Sequence, residues 1–107
     1  MSVTILVTSS DKTLSPMVLR DQIEQQLTRD TIYQIFFLGA GISHANHPLF
    51  IEWLSQLQHH QTTAIALGYC PSSVARYQPD FVCDLLQPYG LTEFYVGLHH
   101  STSLEQY

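Results

Sequence analysis

The sequence predicts an α/β fold: a three-layer α/β/α sandwich around a mainly parallel sheet of four to five strands. Three observations carry that expectation. Apolar or β-rich runs alternate with amphipathic stretches along the 107 residues, the pattern of strands joined by crossover helices. Pro16, Pro48 and Pro71 each follow such a run where a helix should open, since proline is pre-organised for the first helical turn. No linker, internal repeat or low-complexity tract interrupts the pattern, so residues 1–107 read as a single domain.

The elements follow in order. Residues 3–7 form a nearly continuous apolar run, closed by Thr8-Ser9-Ser10, as expected of a strand buried on both faces. No basic stretch or cleavage motif accompanies it, so the N-terminus reads as a strand and not a signal peptide. Ser15 then caps a helix that Pro16 begins. Leu19, Ile23 and Leu27 recur at four-residue steps among Arg20, Asp21, Glu24 and Gln25, which makes that helix amphipathic. A second strand at 32–38 ends at Gly39-Ala40-Gly41, and Pro48 opens a helix with Phe50, Trp53, Leu54 and Leu57 on one face. The third strand is expected at 62–67, closed by Gly68. Cys70-Pro71 opens a third helix, which Pro79 breaks before it continues over 81–86. Residues 93–98 (Glu-Phe-Tyr-Val-Gly-Leu) read as the fourth strand, and 103–107 as a short fifth strand at an edge.

Composition excludes several classes. Only 12% of residues are charged and 45% are hydrophobic, with a net charge of −5; a disordered chain has the opposite balance. Four basic residues, Lys12, Arg20, Arg29 and Arg76, cannot build a phosphate-reading patch, so direct nucleic-acid contact is not expected. No apolar run approaches the ~20 residues that span a bilayer. The two cysteines, Cys70 and Cys83, form no disulfide framework; free thiols and a cytoplasmic location fit this usage. A surface so poor in charge is easily desolvated, which points to subunit contacts.

In open parallel sheets, sites lie beyond the carboxyl ends of the strands. The predicted order puts Thr8-Ser9-Ser10-Asp11, Gly39-Ala40-Gly41-Ile42, Gly68-Tyr69-Cys70 and His99-His100 on that edge, with His44 and Asn46 in the second loop. Cys70 is the sharpest of these residues. A thiol at a helix start faces unpaired N–H groups and the positive end of the helix dipole, and both favour thiolate. Ser72 and Ser73 can donate to the sulfur, Arg76 lies within two turns, and His44 or His99 could assist proton transfer. The alternative for Cys70 is a small buried hydrophobe. Cys83 stands between Asp80 and Asp84 in an apolar stretch and reads as core packing. Six histidines at His44-x-x-His47, His59-His60 and His99-His100 lack converging spacing, so neither a metal nor another cofactor is expected. There is no G-x-G-x-x-G and no phosphate-binding P-loop.

Phe36-Phe37-Leu38, then Gly41-Ile42, then Ala45-Asn46, resembles a motif of the DsrE/DsrF-like sulfur-relay family, closest to its TusD-like branch. The motif is Phe-Phe-x-x-x-Gly-Val-x-x-Ala-Asn, spanning a second strand and its loop. Trp53 and Leu57 match the next helix, Cys70 with Arg76 downstream matches the sulfur-carrying cysteine, and Gln106-Tyr107 is similar to the family's ending. The likeness covers about residues 3–8, 33–77 and the C-terminus. The chain departs from it at Ser9-Ser10-Asp11-Lys12, where the family has glycine and proline, and at Pro71. The resemblance implies a flavodoxin-like or DsrE-like sheet and a sulfurtransferase role. A carrier of this kind accepts sulfane sulfur on Cys70 and hands it to a partner protein, in wobble-uridine 2-thiolation of tRNA or in sulfur oxidation. It also implies sulfur-donor and sulfur-acceptor proteins as partners, and a homo- or hetero-oligomer of related small subunits. The alternatives are a non-catalytic structural or binding subunit of the same fold, and a flavodoxin-like nucleotide- or flavin-binding module.

Overall fold

The computed structural model describes residues 2–60, 64–77 and 84–107. Its elements are β1 (Ser2–Val7), α1 (Pro16–Leu27), β2 (Thr31–Phe37), a 3₁₀ helix (Gly39–Asn46), α2 (Pro48–His60), β3 (Ala66–Tyr69), α3 (Pro71–Tyr77), β4 (Gln87–Pro88), α4 (Leu91–His99) and β5 (Ser103–Gln106). The strands form one sheet in the order β4-β3-β2-β1-β5, and every pairing is parallel.

Two adjacent phenylalanines define the layers. Successive side chains of a strand point to opposite faces. Phe37 meets Phe50 of α2 edge-on, with centroids 6.2 Å apart, while Phe36 meets Phe94 of α4 at 4.9 Å. The sheet therefore carries helices on both faces, a three-layer α/β/α sandwich. The centre of the face toward α1 and α2 is apolar: Val3, Ile5, Val7, Ile35 and Phe37 pack with Leu19, Ile23, Leu54 and Leu57. Burying each of these side chains contributes about 1.5–3 kcal/mol. The face toward α4 mixes Phe36 with a polar network. Gln34 Nε2 donates to the Phe94 carbonyl and to Thr4 Oγ1, each at 3.1 Å, and Ser101 Oγ donates to the Gly97 carbonyl at 3.0 Å.

The helix starts are where the sequence predicts them. Ser15 Oγ accepts from Val18 N–H at 3.2 Å and Pro16 follows it. Pro48 and Pro71 open α2 and α3. The edge strand β5 also forms, bonded to β1.

Four expectations are corrected. Residues 93–98 are not the fourth strand but lie inside α4. That stretch holds an aromatic pair, Val96 and Gly97, and six residues are too few to separate a strand period from a helix period. The packing decides it. Phe94 and Gly97, three apart and so on one helical face, are the buried residues. The helix also approaches Gln34 so closely that a Cβ on Gly97 would sit 2.5 Å from its amide. The fourth strand is instead the two-residue β4, which pairs with Gly68 and Tyr69. The third strand lies later than 62–67, at Ala66–Tyr69, because its register against Gln34 to Phe37 is set by the buried apolar face. Asp84 to Leu86 do not continue a helix but bend into β4. Pro79 and Phe81 to Cys83 lie outside the described residues, as do Thr62 and Thr63. Within the described residues, no helix is long and apolar enough to cross a membrane.

Candidate functional site

Cys70 follows β3 directly and caps α3. Its N–H donates to the Phe37 carbonyl at 3.1 Å, which continues the sheet bonding past the strand's end. Its own carbonyl accepts from Ser73 N–H at 3.0 Å, the first bond of the helix. Pro71 occupies the first helical position, where a missing N–H costs nothing. Ser72 and Ser73 therefore hold the two N–H groups that a capping side chain normally satisfies. The Ser73 N–H bonds the Cys70 carbonyl, and both N–H groups act electrostatically on the thiol beside them.

The ionisation of Cys70 records that arrangement. Partial burial pushes the thiol up. The backbone N–H groups of Ser72 and Ser73 and the two serine hydroxyls stabilise thiolate, and together they bring the thiol below its ordinary value. Ser73 is 5% exposed, and its oxygen accepts from Gly39 N–H at 2.7 Å. With that oxygen occupied, the hydroxyl proton is left for the sulfur. Cys70 itself is half-buried and free of disulfide bonding.

The 3₁₀ helix holds Ser73 from behind. Gly39 has φ of +60°, a left-handed conformation suited to glycine. Gly41 lies against the end of β1, where a Cβ would fall 2.0 Å from the Val7 carbonyl oxygen. Leu38 N–H donates to that same carbonyl at 3.0 Å. The loop after β2 is thus clamped to β1 on one side and to the Cys70 cap on the other.

Of the other predicted neighbours, His44 and His99 turn away from Cys70. His44 is buried and turned to the β1–α1 loop, where Nε2 donates to the Ser9 carbonyl at 3.0 Å. Its ring lies 5.8 Å from Phe50, and Nδ1 is buried with no hydrogen-bond partner among the described residues. Burial holds His44 below the usual histidine range, against the Ser9 carbonyl and the Asp11 carboxylate. Asn46 is exposed at the end of the 3₁₀ helix. Arg76 places its guanidinium 5.4 Å from the Tyr77 ring centroid. Ser72, unlike Ser73, is exposed. His99 is not on this edge at all. It ends α4, and Thr102 just beyond donates its N–H to the Ser2 carbonyl at the start of β1. His99 and His100 therefore sit at the amino edge, with His100 6.2 Å from the Tyr33 ring. This correction follows from residues 93–98 being helical, because a helix returns the chain to the opposite end of the sheet. Cys83 lies outside the described residues.

Some organising residues were not foreseen. Gly39 supports Ser73, and an Asp11–His47 pair closes the β1–α1 loop, with His47 Nε2 donating to Asp11 Oδ2 at 2.7 Å. That bond holds the Asp11 carboxyl below its usual range; burial opposes it and Ser43 reinforces it. The clue to Gly39 was the glycine pair after an apolar strand; nothing in the spacing joins Asp11 to His47. In the first loop, Thr8 and Ser9 N–H groups are already spent on the Tyr107 carbonyl, at 2.8 and 3.2 Å. Among the described residues, no three His, Cys, Asp or Glu side chains converge to hold a metal ion.

No protein-family model matches this chain, and no curated protein matches it. The resemblance to sulfur-relay proteins accordingly rests on the residues quoted for it.

Proposed function

We propose that the protein is a persulfide carrier, with Cys70 as the sulfur-accepting residue. One observation supports this above others: a half-exposed thiol at the carboxyl edge, beside N–H and hydroxyl groups of Ser72 and Ser73 that favour its anion. In the forward step the Cys70 thiolate attacks the outer sulfur of a donor persulfide. A new S–S bond forms on Cys70, the donor's S–S bond breaks, and the donor leaves as thiolate. In the second step an acceptor thiolate takes the outer sulfur, and Cys70 departs as thiolate. No net oxidant or reductant is needed. The same donors assist both steps, because they stabilise the anion that attacks and the anion that leaves. A moderately lowered thiol keeps enough nucleophilicity for the first step.

The resemblance extends this reading to sulfurtransferase activity in a cytoplasmic relay. Its partners are donor and acceptor proteins and related small subunits, and its outlets are tRNA 2-thiolation or sulfur oxidation. With four basic residues, this chain is a poor direct binder of the tRNA. The test is incubation with a sulfane-sulfur donor, followed by mass spectrometry of the digested protein. The expected result is one added sulfur on the Cys70 peptide. Modification of Cys83 with Cys70 untouched overturns the assignment. A Cys70 that resists a small alkylating reagent in the native state favours the structural-subunit alternative.

A further inference from the structure

A cavity of about 390 Å³ opens between the first turns of α1 and α2, within the size range of small-molecule sites. Its wall is mainly apolar. Phe50, 3% exposed, belongs to the core, while Met17 and Leu49 stand 65% and 79% exposed. Large apolar side chains left in water beside a concave surface are a feature of binding sites.

The polar groups on the wall are not equivalent. Ser15 Oγ is used in capping Val18 N–H. His47 is held by Asp11. Arg20 is the group with unmet capacity. Its Nε is buried without a hydrogen-bond partner among the described residues, and its Nη2 lies 3.5 Å from Asp21 Oδ1 in an exposed pair. Such exposed pairs contribute little, so the Nη groups of Arg20 remain available to a better-placed acceptor. The terminal Nη groups of a guanidinium form a fork of N–H donors that matches the two oxygens of a carboxylate, while the Arg20 Nε stays shielded.

We propose that this cavity binds a small organic carboxylate, with its apolar body against Phe50, Met17 and Leu49 and its carboxylate on Arg20. Cys70 does not line the cavity, and the inference stands apart from the persulfide reading. The anion's charge is complementary to Arg20, one of only four basic side chains in a chain of net charge −5. The apolar wall sets the requirement that inorganic anions lack.

The test is NMR titration of the whole protein with 3-phenylpropanoate as the probe. Saturable shifts are expected at the Arg20 Nε–H and the Met17 methyl. The neutral 3-phenylpropanamide should bind about tenfold more weakly, and Arg20→Gln should lower affinity for the acid by about tenfold. Leu49→Asp, at an exposed position, should abolish binding by placing a like charge on the rim while leaving the amide spectrum folded. Inorganic phosphate should give no saturable shift at Met17. The proposal is overturned if the acid gives no saturable shift, if acid and amide bind alike, if Arg20→Gln binds as the parent does, or if phosphate alone saturates the site.

Discussion

The two ends of the sheet offer the same kinds of side chain and use them differently. At the carboxyl edge, Cys70, Ser72, Ser73 and Gly39 converge from the ends of β2 and β3, and each polar group has a stated partner. At the amino edge, His99 ends α4 and His100 caps it, both exposed with ring centroids 6.3 Å apart, and His100 lies near the Tyr33 ring. Both edges carried residues of catalytic type. What separates them is the direction of the parallel strands. The α-helices α1 to α4 all begin at the carboxyl edge, with their free N–H groups there, and α1 and α4 end at the other edge where β2 and β5 begin. The thiol at the first edge lies beside donors; the imidazoles at the second are exposed beside each other and Tyr33.

The comparison is broken most directly by exchanging its chemistry. Cys70→Ser should abolish sulfur uptake in the mass-spectrometric assay while leaving the circular dichroism of the fold intact. Retained transfer in that variant would shift the function elsewhere. Next in size is the clamp. Gly41→Ala drives a Cβ into the Val7 carbonyl and should cost about 3 kcal/mol of stability in urea unfolding. A neutral result would show that the 3₁₀ helix is free to move and does not hold the cap.

Ser73→Ala tests the cap itself. It leaves the Gly39 N–H without an acceptor and removes a donor from the sulfur. Stability should fall by about 1–2 kcal/mol, and alkylation of Cys70 at neutral pH should slow severalfold as the thiol's pKa rises. A pH series sharpens the contrast further. Burial holds the folded pKa of His44 below its unfolded value, so between those two values the unfolded chain binds more protons. Stability should therefore decline as pH falls below ~6.5. His44→Gln should flatten that decline in urea midpoints measured from pH 7.5 to 5. The smallest effect is expected at the amino edge. His99→Ala should change stability by less than about 0.5 kcal/mol and leave the alkylation rate of Cys70 unaltered. A slowed rate would reconnect the two edges.

Much of the carboxyl edge is legible in the sequence. Ser15-Pro16 and Cys70-Pro71 are local signals, because a cap and its proline act within one turn. The sulfur's donors followed from the same rule, since Ser72 and Ser73 lie two and three residues past the capping position. The placement of His99 was not legible. It depended on the state of residues 93–98, whose aromatic and β-branched content suits a strand. The deciding contacts, Gly97 against Gln34 and Phe94 against Phe36, are more than fifty residues apart in the chain. His44 failed for a related reason: its position after β2 placed it on the right edge, but its rotamer took it to Ser9 rather than to Cys70.

By itself the sequence determined the alternation of elements, the helix starts, and the seating of a thiol on a helix's first turn. These are properties of short stretches, decided by side-chain periodicity and by hydrogen bonds that close within four residues. Only the tertiary structure decided that 93–98 is a helix, that a two-residue strand finishes the sheet beside Tyr69, and that Gly39 reaches across to Ser73. Those choices depend on which buried face each segment finds and on which donors and acceptors the packing brings within 3 Å, and no local pattern encodes that geometry.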